Sequence, residues 1–200
     1  MIARQLTLWL SLALLAGCAG LAEREPTSAG WKAHSAQIAE LQRWTANGKL
    51  ALRTADASDS ASMVWQQHDR DTHLQLSGPL GMGATTIESD GQQLDIRRGD
   101  EQQTLDISTP DAIMLNTGWD LPLHALTYWL KGLPAPDADI QRLDLNTQTQ
   151  LLQNLQQDDW DIRFESYGQF QGYILPTRLR IERGATLVKV VISQWQMPDP

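Results

Sequence analysis

The feature that most limits how this chain can fold is a period of two. Apolar residues recur at alternate positions in short runs: Leu50 and Leu52 against Lys49 and Arg53, Met63 and Trp65 against Ser62 and Gln66, Leu74 and Leu76 against His73 and Gln75. Ile87 follows, then Leu94/Ile96 against Gln93, Asp95 and Arg97, and Leu105/Ile107 against Thr104 and Asp106. The second half resumes with Leu143/Leu145, Leu151/Leu152, Ile162/Phe164, Leu179/Ile181 and Val188/Val190/Ile192. A strand turns successive side chains to opposite faces, so each run has one face to bury and one to leave in water. Asp90-Gly91 and Arg98-Gly99-Asp100 supply turn chemistry between runs. The pattern predicts about eleven half-buried, mostly antiparallel strands.

Helical spacing interrupts the alternation. Trp31, Ile38 and Leu41, with Ser28 as a cap, predict a helix over about 29–43. Thr109-Pro110-Asp111 is an N-terminal signal leading into Ala112, Ile113, Met114 and Leu115. Leu121-Pro122 opens a further helix through Leu123, Leu126, Trp129 and Leu130, stopped by Gly132 and Pro134. So many one-faced strands either split into a sandwich or remain one sheet that curls, its mouth filled by about three helices. Helices fill such a curl less tightly than a second sheet would, which leaves an apolar cavity. In the curled arrangement Leu50, Leu52, Met63, Trp65, Leu74, Leu76, Leu94, Ile96, Leu105 and Ile107 line the inward face. Ile113, Met114, Leu126 and Trp129 face them from the lid.

The N-terminus is an export signal. Basic Arg4 precedes an apolar run from Leu6 to Leu15, about half the length a membrane-spanning helix requires. Leu15-Ala16-Gly17-Cys18 then matches the bacterial lipobox, which makes Cys18 the acylated first residue of the mature chain. Ala19 stands where an inner-membrane retention aspartate would be, which favours the outer membrane. The expected organisation is a signal peptide at 1–17, the acylated cysteine and tether at 18–30, and one domain at 31–200.

Little in the sequence can do bond chemistry. Acidic residues number 24 against 16 basic, with no basic run, so nucleic acid is not an expected partner. Cys18 is the only cysteine, which excludes a disulfide framework and a thiolate zinc site within a monomer. The histidines are His34, His68, His73 and His124; the His68–His73 stretch fits a polar turn better than a metal site. Asp158-Asp159, Asp137/Asp139 and Asp56/Asp59 fit solvated loops. There is no nucleophile elbow or phosphate loop, so no enzyme, metal or cofactor is expected. One loop, Ser77 to Ala84, breaks the sheet with three glycines and a proline, yet carries Leu80 and Met82. Leu80 either tucks back as a cap on the sheet or projects.

In its ordered motifs the chain resembles the LolB family of outer-membrane lipoproteins. The resemblance rests on the lipobox Leu15–Cys18, on Trp44-Thr45-Ala46-Asn47-Gly48-Lys49-Leu50, and on Gly78-Pro79-Leu80-Gly81. It continues through Leu121-Pro122, Trp129-Leu130-Lys131-Gly132-Leu133-Pro134 and a final alternating strand with Trp195. It implies a half-open antiparallel barrel of eleven strands, lidded by helices over an apolar cavity. It also implies a monomer that accepts lipoproteins from the periplasmic carrier LolA, holds their acyl chains, and inserts them into the outer membrane from its periplasmic side. By the Pro79-Leu80-Gly81 motif, Leu80 corresponds to the family's exposed loop leucine, which contacts membrane lipid. Eight Trp and five Met suit a surface that must hold acyl chains adaptably. The rival classes are an outer-membrane scaffold that works through its sheet edges and a hydrolase with dispersed catalytic residues.

Overall fold

The computed structural model describes residues 29–78, 83–107 and 122–198. Cys18, the Pro79-Leu80-Gly81 loop, and the expected helix containing Ile113 and Met114 lie outside the described residues. Helix α1 (Trp31–Ala39) leads into six strands: β1 (Arg43–Arg53), β2 (Ser58–His68), β3 (Asp71–Ser77), β4 (Thr85–Ser89), β5 (Gln93–Arg98) and β6 (Glu101–Asp106). Helix α2 (Leu123–Trp129) precedes β7 (Ile140–Leu145), β8 (Leu152–Gln157), β9 (Trp160–Phe170), β10 (Tyr173–Arg183) and β11 (Thr186–Gln196).

All eleven strands belong to one sheet in the order β6-β5-β4-β3-β2-β1-β11-β10-β9-β8-β7. The sandwich alternative is thereby excluded. Each neighbouring pair is antiparallel, and β1 closes against β11 in the middle, so β6 and β7 form the two edges. Local turn chemistry sets the meander. At the β4–β5 hairpin the Asp90 carboxylate accepts the backbone N–H groups of Gln92 and Gln93, each at 2.8 Å. Those bonds, Gln93's foremost, hold its carboxyl below the ordinary Asp range.

Register places the apolar set on one face. Trp65 lies across from Ala46 and Leu74, Leu74 from Ile87, Ile87 from Ile96, and Leu94 from Leu105. On the other side of the β1–β11 junction, Val188 opposes Ile181, Ile181 opposes Ile162, and Ile162 opposes Leu155. These residues from both halves belong to a single core cluster. A lone sheet can bring both its halves into one core only by curling around that face. Part of the bend sits at Gly48. The β1–β11 register shifts between Asn47 and Gly48, and a Cβ at Gly48 would stand 2.0 Å from the Val191 carbonyl oxygen.

The helices depart from expectation in detail. α1 begins at Trp31 with Gly30 as N-cap and no side-chain cap bond, and it ends at Ala39, shorter than 29–43. Leu41 falls beyond it yet is still buried. α2 begins at Leu123, after Pro122. Two helices occur among the described residues, against the three expected.

Candidate functional site

The inward face carries both fully buried and half-buried apolar residues. Met63, Trp65, Leu74, Leu94 and Leu105 are buried. Leu50, Leu52, Leu76, Ile96 and Ile107 are half-buried and pack against the same cluster. Leu50 and Leu52 lie toward the end of β1 remote from α1, and Leu76 lies next to the segment that leads into the Pro79-Leu80-Gly81 loop. The end near α1 is closed by aromatics: the Trp44 ring lies 6.2 Å from Trp65 and 5.1 Å from Trp195, centroid to centroid. Of the expected apolar lining, Leu50, Leu52, Leu76 and Ile96 thus form a half-buried band toward one end, while Ile107 is half-buried at the α1 end.

On α2, Leu126 and Trp129 are buried, with Leu123 and Tyr128 partly buried beside them. Gln157 holds this segment. The Trp129 indole N–H and the Ala135 backbone N–H both donate to its Oε1 at 2.9 Å. Its Nε2 donates to the carbonyls of Ala135, at 2.7 Å, and Ala138, at 3.0 Å. The side chain is 0% exposed, and its amide is saturated by these four bonds. A second tie is Lys131, 7% exposed, whose Nζ donates to the Leu41 carbonyl at 2.9 Å and lies 5.5 Å from the Tyr128 ring centre. Burial pushes this ammonium down to about 8. Between them Gly132 adopts φ +80°, with Pro176 and the Tyr167 hydroxyl 3.2 Å from where a Cβ would be.

Sequence reasoning assigned neither Gln157 nor Lys131 a role. Gln157 was readable as a polar residue on the apolar phase of its strand, two positions after Leu155. Lys131 carried no such signal, because lysines are almost always solvated.

The polar groups stand apart from this face. His73 Nδ1 meets Glu88 Oε1 at 3.0 Å on the outer side, and Glu88 also pairs with Arg97. They border an open polar cleft of about 530 Å³ that includes His68, Asp71, Asp90 and Asp95. No group of three or more metal-ligating side chains converges among the described residues.

A family model described as "Outer membrane lipoprotein LolB" matches residues 42–195. The chain belongs to the LolB family. The matched span takes in both the Trp44–Leu50 segment at Gly48 and the Trp129–Pro134 segment held by Gln157. The outer-membrane lipoprotein LolB of Stutzerimonas stutzeri is 34% identical over 191 residues, covering 92% of this chain and 90% of that protein. That of Pseudomonas fluorescens is 34% identical over 200 residues, covering 98% and 97%. Among solved structures, a LolA superfamily protein from Nitrosomonas europaea shares the fold, with a TM-score of 0.56 at 11% identity, over 86% of this chain and 96% of that one. A DUF1329 family protein from Desulfovibrio piger gives 0.53 at 10% identity, over 88% and 94%. Membership in the LolB family makes this an outer-membrane lipoprotein with a role in lipoprotein localisation. Among the described residues no helix is long and apolar enough to cross a membrane.

Proposed function

We propose that this protein accepts lipoproteins from a periplasmic LolA-type carrier by taking their acyl chains onto the inward face of the sheet, then inserts them into the outer membrane. The observation that carries the reading is the one-sided apolar surface shared by all eleven strands, ending in the half-buried band of Leu50, Leu52, Leu76 and Ile96. Each exposed methylene of an acyl chain costs about 0.8 kcal/mol in water, so a long chain cannot escape through solvent at a useful rate. It must move from one apolar surface to another. The receiver needs only a surface more favourable than the carrier's and less favourable than the bilayer.

Cys18 supplies the anchor in this reading, and Leu80 the membrane contact. A leucine entering the bilayer boundary gains roughly 1.5–3 kcal/mol, enough to orient the domain and too little to hold it there. Leu80→Glu is therefore expected to leave folding and acceptance from the carrier nearly unchanged while delivery falls. The test is a two-stage assay with labelled lipoprotein on the carrier, followed first onto this protein and then into liposomes. Acceptance that fails with the unaltered protein refutes the reading, and so does a Leu80→Glu loss fully explained by a lower melting temperature.

A further inference from the structure

Two buried polar side-chain atoms among the described residues have no hydrogen-bond partner: Nε1 of Trp44 and Nε2 of His34. Other buried indoles on this face are satisfied. Trp65 donates to Gln67, Trp129 to Gln157, and Trp195 to the Pro176 carbonyl. Leaving such a donor unmet costs a folded protein on the order of a hydrogen bond or more, so the exception requires a reason.

Trp44 is 2% exposed and belongs to the inward-facing set of β1, in register with Gln67. His34 is 5% exposed on α1. α1 and the residues after it cover the same core, since Ile38 and Leu41 share its cluster with Trp44. α1 has no side-chain cap, no acidic residue in its first turn and no basic residue in its last. It is held to the core by Ile38 and by the Lys131–Leu41 bond just after it, and a cleft lined by Leu41, Tyr173 and Met197 opens at this end.

An indole N–H can only donate, so whatever satisfies it must bring an acceptor. The surrounding Trp65 and Trp195 rings make a buried anion costly, whereas a neutral carbonyl is cheaper to desolvate. We propose that the Trp44 N–H donates to the carbonyl oxygen of the ester or amide that links an acyl chain to the rest of a lipoprotein. This inference rests on the acyl-chain reading above and deepens it: the apolar face holds the chain, and Trp44 recognises the linkage. Trp44 and Leu52 are eight residues apart on β1, about 26 Å of strand. A chain whose linkage sits at Trp44 therefore runs its tail toward the half-buried band of Leu50, Leu52 and Leu76.

The test uses the whole mature chain, with Cys18→Ala so that its own acyl groups do not compete, and two probes, methyl palmitate and hexadecane. In ¹⁵N-indole spectra the Trp44 N–H resonance, assigned through its contacts with the Trp65 and Trp195 rings, should move downfield with methyl palmitate and not with hexadecane. Trp44→Phe keeps a ring and removes the donor. It should bind hexadecane as the parent does and methyl palmitate up to about tenfold more weakly. Equal binding of both probes by both proteins, with a stationary resonance, overturns the proposal. So does a Trp44 N–H that exchanges with a bound water and ignores the ester. Failure of either probe to bind the parent saturably overturns the acyl-chain reading itself, and the proposal with it.

Discussion

Lys131 brings a charge into the core to reach one carbonyl, that of Leu41, and the charge leaves a measurable trace. Its folded-state value of about 8 lies below the ordinary 10.5, so at neutral pH the native state holds a proton at a cost. The unfolded chain binds more protons than the native one only between those two values, and stability must rise with pH across that window. Relative to Lys131→Met, the unaltered protein is expected to gain roughly 3 kcal/mol between pH 7 and pH 10.5, and nothing below pH 7. Paired urea titrations at both pH values measure this, with the remaining lysines and tyrosines cancelling in the difference. Gly48 makes an equally local claim. Its missing Cβ leaves room for the Val191 carbonyl, so Gly48→Ala must open the β1–β11 junction. A destabilisation of about 2 kcal/mol or more is expected from denaturant midpoints.

At the scale of elements, the strands were legible because alternation with one buried face is a strong, repeated signal. The phase that selects Met63 and Trp65 in β2 is the phase the register buries. α1 was less legible. Trp31, Ile38 and Leu41 are all at least partly buried, but Leu41 gets there from the connection after the helix, so the period overran the true end. What docks α2 was not legible from period at all, because it depends on one glutamine arriving from a strand 28 residues further on. Replacing Gln157 by leucine would strand the Trp129 and Ala135 donors and the Ala135 and Ala138 carbonyls in a dry site. The expected loss is on the order of 3–5 kcal/mol, with amide-exchange protection falling first in α2 and the 130–138 segment. The inward apolar band yields a separate expectation. Leu76→Glu sets a charge on a half-buried position rather than in the packed core, so the fold should survive while binding of an acyl-chain probe drops at least tenfold. An unchanged affinity in a normally folded variant would move the site elsewhere.

For the whole molecule, the same physics accounts for architecture and role. A one-faced sheet of eleven strands buries most of its apolar surface in a single core, and leaves Leu50, Leu52, Leu76 and Ile96 half-buried toward the end of β1 remote from α1. A scaffold working through its edges would require β6 and β7, where Ile140 is a large exposed apolar residue. β7 nonetheless carries two register irregularities and Arg142 paired to Asp144 and Asp161, features that discourage strand addition. The half-buried band on the inward face fits transfer better, since a chain can be held along the core and leave across it. The central claim is that acyl chains occupy this inward face during transfer. It is tested most directly by a lipoprotein carrying a photoreactive group on its acyl chain, passed from the carrier, irradiated, and mapped by mass spectrometry. The account predicts adducts on Leu50, Leu52, Met63, Leu76 or Ile96. Adducts confined to the outer face around His73 and Glu88, or efficient transfer with no adduct on the inward set, would contradict it.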